Sequence, residues 1–195
     1  MALDEFTNDP SKILLGAVNE LINAIGEPSI ENENDIFALQ EAKEAYNELM
    51  RTKTEVLAEG WDCNTDTTEL APDSNGYIQI ASNMLDVRDP MQNDYIVRNW
   101  YLYSKQRQSI KFEQPVLVEI IWDMIFNQIP YTIRKYIILK ALVRFRDRII
   151  GEDATQHSYT EKDVREAYML ARRSESRTSG ANMLDTMVEF RTTRY

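Results

Sequence analysis

Apolar residues first recur at helical spacing between Ser11 and Ile25, where Leu14, Val18, Leu21 and Ile25 fall on one face. Gly26 follows where a left-handed cap is needed, and Pro28 blocks resumption. A second helix is predicted over about Asp35 to Glu59, with Leu39, Ala42, Tyr46, Leu49 and Val56 inward and Lys53 the one polar intruder. Asn34 or Asp35 suits its cap and Gly60 its end; its length would be about 37 Å. The short connection predicts that these two helices pack as an antiparallel hairpin.

After Gly60 the period changes to two. Ile78 and Ile80, Leu85 to Arg88, Tyr95 to Arg98, Trp100 to Ser104, and Val116, Val118, Ile120 and Trp122 form short runs between turn residues. Together they predict a small antiparallel sheet of about four to six strands. Helical spacing returns at Pro130: Ile133, Ile137, Ile138, Ala141, Leu142, Phe145 and Ile149 make a wide apolar stripe that Gly151 ends. A fourth helix opens on Ser158 and Glu161 at capping-box spacing, with Val164, Ala167, Tyr168 and Ala171 inward. From Ser176 to Gly180 the composition suits a flexible connector; beyond it Met183, Leu184, Met187, Val188 and Phe190 are dense for a free tail. Such a tail either straps back on its own domain or orders on a partner.

The expected fold is α+β and mainly helical. Residues 1–60 and 128–175 make a four-helix bundle, residues 61–127 an inserted antiparallel β-domain, and residues 176–195 an extended C-terminal arm.

Net charge is −10 over 195 residues, which opposes a nucleic-acid coat or an anionic-membrane binder. The charge is polarised: residues 1–60 carry 4 basic and 13 acidic side chains, residues 131–195 carry 13 and 9. An acidic front and basic back favour head-to-tail self-association, which closes into a ring when the rotation permits. The bland alternative is drift in the composition of solvated faces. No apolar run reaches the roughly 20 residues of a membrane span, and the N-terminus does not read as a signal peptide.

Chemistry-bearing patterns are sparse. The six glycines make no phosphate loop, and no hydrolase or zinc-protease motif occurs. The pairs Glu31 and Glu33, Asp62 and Asp66, and Glu152 and Asp153 suit solvated faces in a chain with 32 acids. Cys63 is expected to be a buried or half-buried thiol, and His157, the sole histidine, precedes a helix cap. Arg134, Arg144, Arg146 and Arg148 resemble a phosphate track only faintly; Glu41, Glu44 and Glu48 offer them partners. No catalytic residue, cofactor or metal site is expected.

Several blocks taken together carry a resemblance. They are Val18-Asn19-Glu20-Leu21-Ile22-Asn23-Ala24-Ile25-Gly26-Glu27-Pro28; Glu59-Gly60-Trp61 with Asn64; Leu70-Ala71-Pro72-Asp73 with Gly76-Tyr77-Ile78; Arg144-Phe145-Arg146-Asp147-Arg148; and Asn182-Met183-Leu184-Asp185. In order and separation they resemble the tail tubular protein A family of short-tailed phages, over about residues 11 to 185. Asn99-Trp100 departs from it, standing where a glycine pair is expected, which predicts a looser or differently turned hairpin.

The resemblance implies a structural adaptor of the virion tail, made in the host cytoplasm. It would be a homo-oligomeric ring, a dodecamer, joining the portal protein to a nozzle protein of the tail tubular protein B type. Tail fibres would attach nearby, and DNA would pass through without specific binding. Gly180, Asn182, Met183, Leu184 and Asp185 become portal-facing candidates, and Tyr95, Tyr101 and Tyr103 nozzle-facing candidates. The residues alone leave two other readings open: a monomeric helical interaction or regulatory module, and an enzyme using acidic residues with a divalent metal.

Overall fold

The computed structural model describes residues 12–91, 94–151 and 161–192, and of residues 177–192 the backbone alone. The N-terminus, His157 and the Ser158 cap lie outside the described residues. The fold is α+β, with four α-helices and five strands among the described residues. The chain divides into two compact units, Met1–Lys53 with Ile125–Tyr195, and Thr54–Met124.

In the helical unit, α1 (Ile13–Asn23) buries Ile13, Ala17, Val18, Leu21 and Ile22. From within α1 the amide of Asn19 serves the loop beyond the helix as a neighbouring strand would. Its Nδ2 donates to the Ile30 carbonyl at 2.9 Å, and its Oδ1 accepts from the Ile30 N–H at 2.8 Å. Both polar groups of Ile30 are thereby satisfied and its side chain is buried. A 3-10 turn, Glu33–Phe37, then precedes α2 (Gln40–Leu57). The second helix was expected to begin at about Asp35. The first turn there is tighter because Ile36 is buried while Phe37 turns outward against Tyr46, edge to face at 5.3 Å.

The central element is α3 (Tyr131–Ile150), which packs on both α1 and α4 (Glu161–Thr192). Its buried residues, among them Ile133, Ile137, Ile138, Leu139, Leu142, Val143 and Phe145, exceed one helical stripe, as a helix with several neighbours requires. On α4, Ala167 and Ala171 are buried, so the two backbones approach closely. The connector expected at Ser176 to Gly180 and the extended arm beyond it are helical instead, continuing α4 to Thr192. The physical reason is that propagating a formed helix costs far less than nucleating one.

Two expectations for ion pairing and the thiol meet different outcomes. Arg148 donates to the buried Glu48 at 3.1 Å and lies 4.0 Å from Glu44, joining α3 to α2. Cys63 is exposed: it sits in a 3-10 turn, Asp62–Asn64, whose buried side chain is Asn64.

In the second unit the chain leaves α2 through Gly60, which takes φ +78°; a Cβ there would lie 3.0 Å from Ile121 Cδ1. The next residues form a polar clasp. The buried Trp61 donates its indole N–H to the Val56 carbonyl at 2.7 Å. Asn64, also buried, accepts the Trp61 N–H at 2.8 Å and donates to the carbonyls of Leu57 at 3.0 Å and Trp122 at 2.7 Å.

The strands β1 (Thr65–Leu70), β2 (Met84–Arg88) and β5 (Val116–Trp122) form an antiparallel sheet in the order β1-β5-β2; β3 (Tyr95–Arg98) and β4 (Tyr101–Ser104) form a separate hairpin. The single sheet expected is thus two. Ile78 and Ile80 are not in a strand but are extended and buried. They are tied to the hairpin by Ile80 N–H to the Trp100 carbonyl, 2.8 Å, and Leu102 N–H to the Ile78 carbonyl, 3.0 Å. These residues, with Val87, Leu102, Phe112, Val118 and Ile120, make the core.

Two predictions follow from buried polar groups. Asn64→Leu removes three buried hydrogen bonds, those to the Trp61 N–H and to the Leu57 and Trp122 carbonyls, and is expected to destabilise the protein by about 3 kcal/mol in chemical denaturation, whereas Asp62→Asn stays near wild type. Burial raises the Glu20 carboxyl from 4.5 to about 7, against the lowering influence of Lys135. A carboxyl whose folded value exceeds its unfolded value favours the fold when protonated. Stability is therefore full below about pH 4.5 and falls as pH rises towards 7, by about 3 kcal/mol. Glu20→Gln is expected to be more stable than wild type near pH 8, with the gap closing near pH 5.

Candidate functional site: assembly surfaces

The β3–β4 hairpin sorts the aromatic candidates by face. Register pairs Tyr95 with Ser104, Ile96 with Tyr103, Val97 with Leu102 and Arg98 with Tyr101. Tyr95 therefore shares the Leu102 face, and it packs edge to face on Phe112 at 5.8 Å. Burial, then the charges of Asp89 and Asp94, raise its phenol pKa. Tyr101 and Tyr103 share the opposite face with Ile96 and Arg98. There the Arg98 guanidinium stacks 3.9 Å over Tyr103, Tyr101 lies 5.7 Å from Tyr77, and Lys111 lies 5.7 Å from Tyr77. Of the three tyrosines the structure puts two on one face and packs the third, half-buried, against the core.

The hairpin turn is tight rather than loose. Asn99 and Trp100 both take positive φ, 50° and 66°, the conformation of a two-residue turn matched to strand twist. Asn tolerates it; for a bulky aromatic it is a genuine outlier. Behind the hairpin Asp94 acts as a hub, accepting Ser104 Oγ–H at 2.6 Å and the Gln106 N–H at 2.7 Å. Trp100 is 59% exposed and is not among the nozzle-facing candidates that the resemblance implies. Its signal was the departure at Asn99-Trp100.

On the helical unit, two exposed apolar groups stand out. Phe37 and Leu39, 62% and 48% exposed, lie between Glu31, Glu33 and Asp35 on one side and Glu41 on the other. On α4, Met169 and Leu170 are exposed beside a hollow of about 740 Å³ that Arg165, Arg172 and Arg173 also line. Cations and acids on α4 pair with each other: Lys162 lies 3.8 Å from Glu166, and Arg172 donates to Glu175 at 3.2 Å. Of the suspected arginine track, Arg146 is buried against Asp147, Arg148 serves α2, and Arg134 donates to the Ile129 carbonyl at 3.2 Å, so these three go to separate protein partners.

The portal-facing candidates Gly180, Asn182, Met183, Leu184 and Asp185 have helical backbone in α4, and their side chains lie outside the described residues. Among the described residues no three His, Cys, Asp or Glu side chains group as metal ligands, and no helix is long and apolar enough to cross a membrane.

A family model described as tail tubular protein matches residues 15–181, which include all five strands and α2 and α3 whole. The chain belongs to the tail tubular protein family. It is similar to a tail tubular protein A of Klebsiella phage KP34, 26% identical over 159 residues that cover 81% of this chain and 84% of that relative. This tail tubular protein is accordingly a structural component of a phage tail. The matched span of the tail tubular protein contains the Asn19–Ile30 clip, the Trp61–Asn64 clasp and the hairpin. Gly180 lies within it, and Asn182 to Asp185 lie beyond its end.

Charge on the surface of this tail tubular protein yields one check on its stability. Arg148→Met strands the buried Glu48 and is expected to cost about 3 kcal/mol; adding Glu48→Leu recovers most of it, as a thermal-melt double-mutant cycle would read.

Proposed function

We propose that this tail tubular protein is the adaptor ring of the tail, joining portal to nozzle and forming part of the channel through which DNA leaves the capsid. The observation that carries the reading is the family match across both units, residues 15–181. The charge distribution supports it. An acidic chain, net −10, does not retain phosphate, which suits a conduit and opposes a clamp. The acidic first third and the basic last third favour head-to-tail contact between copies, closing as a dodecamer. The C-terminal segment, with Gly180, Asn182, Met183, Leu184 and Asp185, reaches the portal. The outer hairpin face, with Tyr101 and Tyr103, meets the nozzle, and Tyr95 supports it from beneath. Tail fibres attach near that junction.

Electron microscopy of the purified protein mixed with its portal is expected to reveal a closed ring of this chain on the portal. Removing the residues after Ser179 is expected to abolish portal binding while the circular dichroism of the helical unit persists. Equal binding by the shortened chain would remove that segment from the mechanism, and a monomer indifferent to portal would remove the adaptor.

A further inference from the structure

A left-handed backbone is easily supplied by glycine and poorly by tryptophan. Here Trp100 holds φ 66° at the tip of a two-residue turn, with its side chain 59% exposed. The side chain is therefore not kept there by burial in its own core. Exposed Val97 and Ile110 lie on the same unit. Strained, exposed aromatic residues on rigid hairpins are suited to insertion into a partner, because little conformational entropy remains to be lost on docking.

The charge along the hairpin and the segment that follows it selects the partner's chemistry. Residues 95–112 contain Arg98, Lys105, Arg107 and Lys111 and no acidic residue, in a chain of net −10. All four are exposed; Arg98 adjoins the tip, Lys105 and Arg107 follow the open end of the hairpin beside Asp94, and Glu113 lies near Arg107 and Lys111. The complement is an apolar surface with an acidic rim. This chain displays one: exposed Phe37 and Leu39 within residues 31–41, which hold Glu31, Glu33, Asp35 and Glu41 and no basic residue.

We propose that the Trp100 hairpin tip of one copy docks on the Phe37–Leu39 patch of a second copy, with Arg107 and Lys111 facing Glu33 and Asp35. The contact is heterologous, since the two patches differ, and so it propagates around a ring. It rests on the adaptor-ring reading and supplies a subunit contact for it.

The test uses the full chain, alone and with portal, and reads self-association by analytical ultracentrifugation. Trp100→Gly is expected to weaken association by about tenfold or more while the melting temperature holds or rises, since glycine relieves the turn. A merely structural tryptophan would move stability and leave association unchanged, which overturns the proposal.

Charge exchange decides whether the two patches meet. Protein carrying Arg107→Glu and Lys111→Glu, and protein carrying Glu33→Lys and Asp35→Lys, are each expected to associate poorly alone. Mixed in equal amounts they are expected to associate again, because each reversed patch then meets its opposite. A mixture no better than its parts overturns the contact. So does retained self-association in the hairpin variants with loss of nozzle capture or of DNA retention instead. Wild-type protein that stays monomeric even with portal overturns the ring reading and this contact together, whereas variants that associate like a self-associating wild type overturn the contact alone.

Discussion

One buried amide decides where helix ends and sheet begins. Asn64 accepts the Trp61 N–H and donates to the carbonyls of Leu57, at the end of α2, and Trp122, at the end of β5. The Leu57 carbonyl also accepts the Gly60 N–H at 3.1 Å, and a buried backbone group that loses its partner carries its desolvation cost. The clasp also uses Gly60: positive φ turns the chain, and a Cβ there would crowd Ile121 Cδ1 at 3.0 Å. A residue of no catalytic character thus fixes the start of β1 and its register with β5, from Thr65 opposite Ile121 onward.

The helical unit repeats the device at smaller scale. Asn19 completes the backbone of Ile30 on both sides, so the loop after α1 is held without secondary structure of its own. Glu48 is buried because Arg148 reaches it, and Glu20 sits in surroundings that favour its protonated form. The interior is apolar along α3 and punctuated by a few polar groups whose partners lie elsewhere in the chain. That pattern suits a scaffold whose chemistry is shape and adhesion. It agrees with a tail structural protein, in which the informative residues are exposed ones.

How much was legible followed from how each element is stabilised. Helices α1 and α3 bury broad apolar faces, and period 3.6 announces them. Strand β5 is central and carries Val116, Val118, Ile120 and Trp122 at period two, with Ile121 buried as well. Strand β1, Thr-Asp-Thr-Thr-Glu-Leu, is almost wholly exposed and exists through backbone pairing with β5, so no apolar period marked it. Ile78 and Ile80 alternate as a strand does, yet their segment forms only isolated bridges, through Tyr77 to Lys111 and Gln79 to Tyr101, because its neighbours are a hairpin and a loop. At Asn99-Trp100 the unusual residues were visible, but the outcome, a tight turn with both residues left-handed, was not. The tyrosines were visible as a group, and only register put Tyr95 on one face and Tyr101 with Tyr103 on the other.

The amino-acid order by itself determined the helical periods, the central strand, the glycine-marked helix ends and the charge asymmetry, because each is a local property of neighbouring side chains. The blocks that carry the family resemblance were local as well. Tertiary structure alone decided why they matter. Asn19, Gly60 and Asn64 act on groups distant in sequence, and whether Phe37, Leu39, Cys63 or Trp100 meets solvent depends on what other segments cover. Burial is a sum over the whole fold, and no window of sequence contains it.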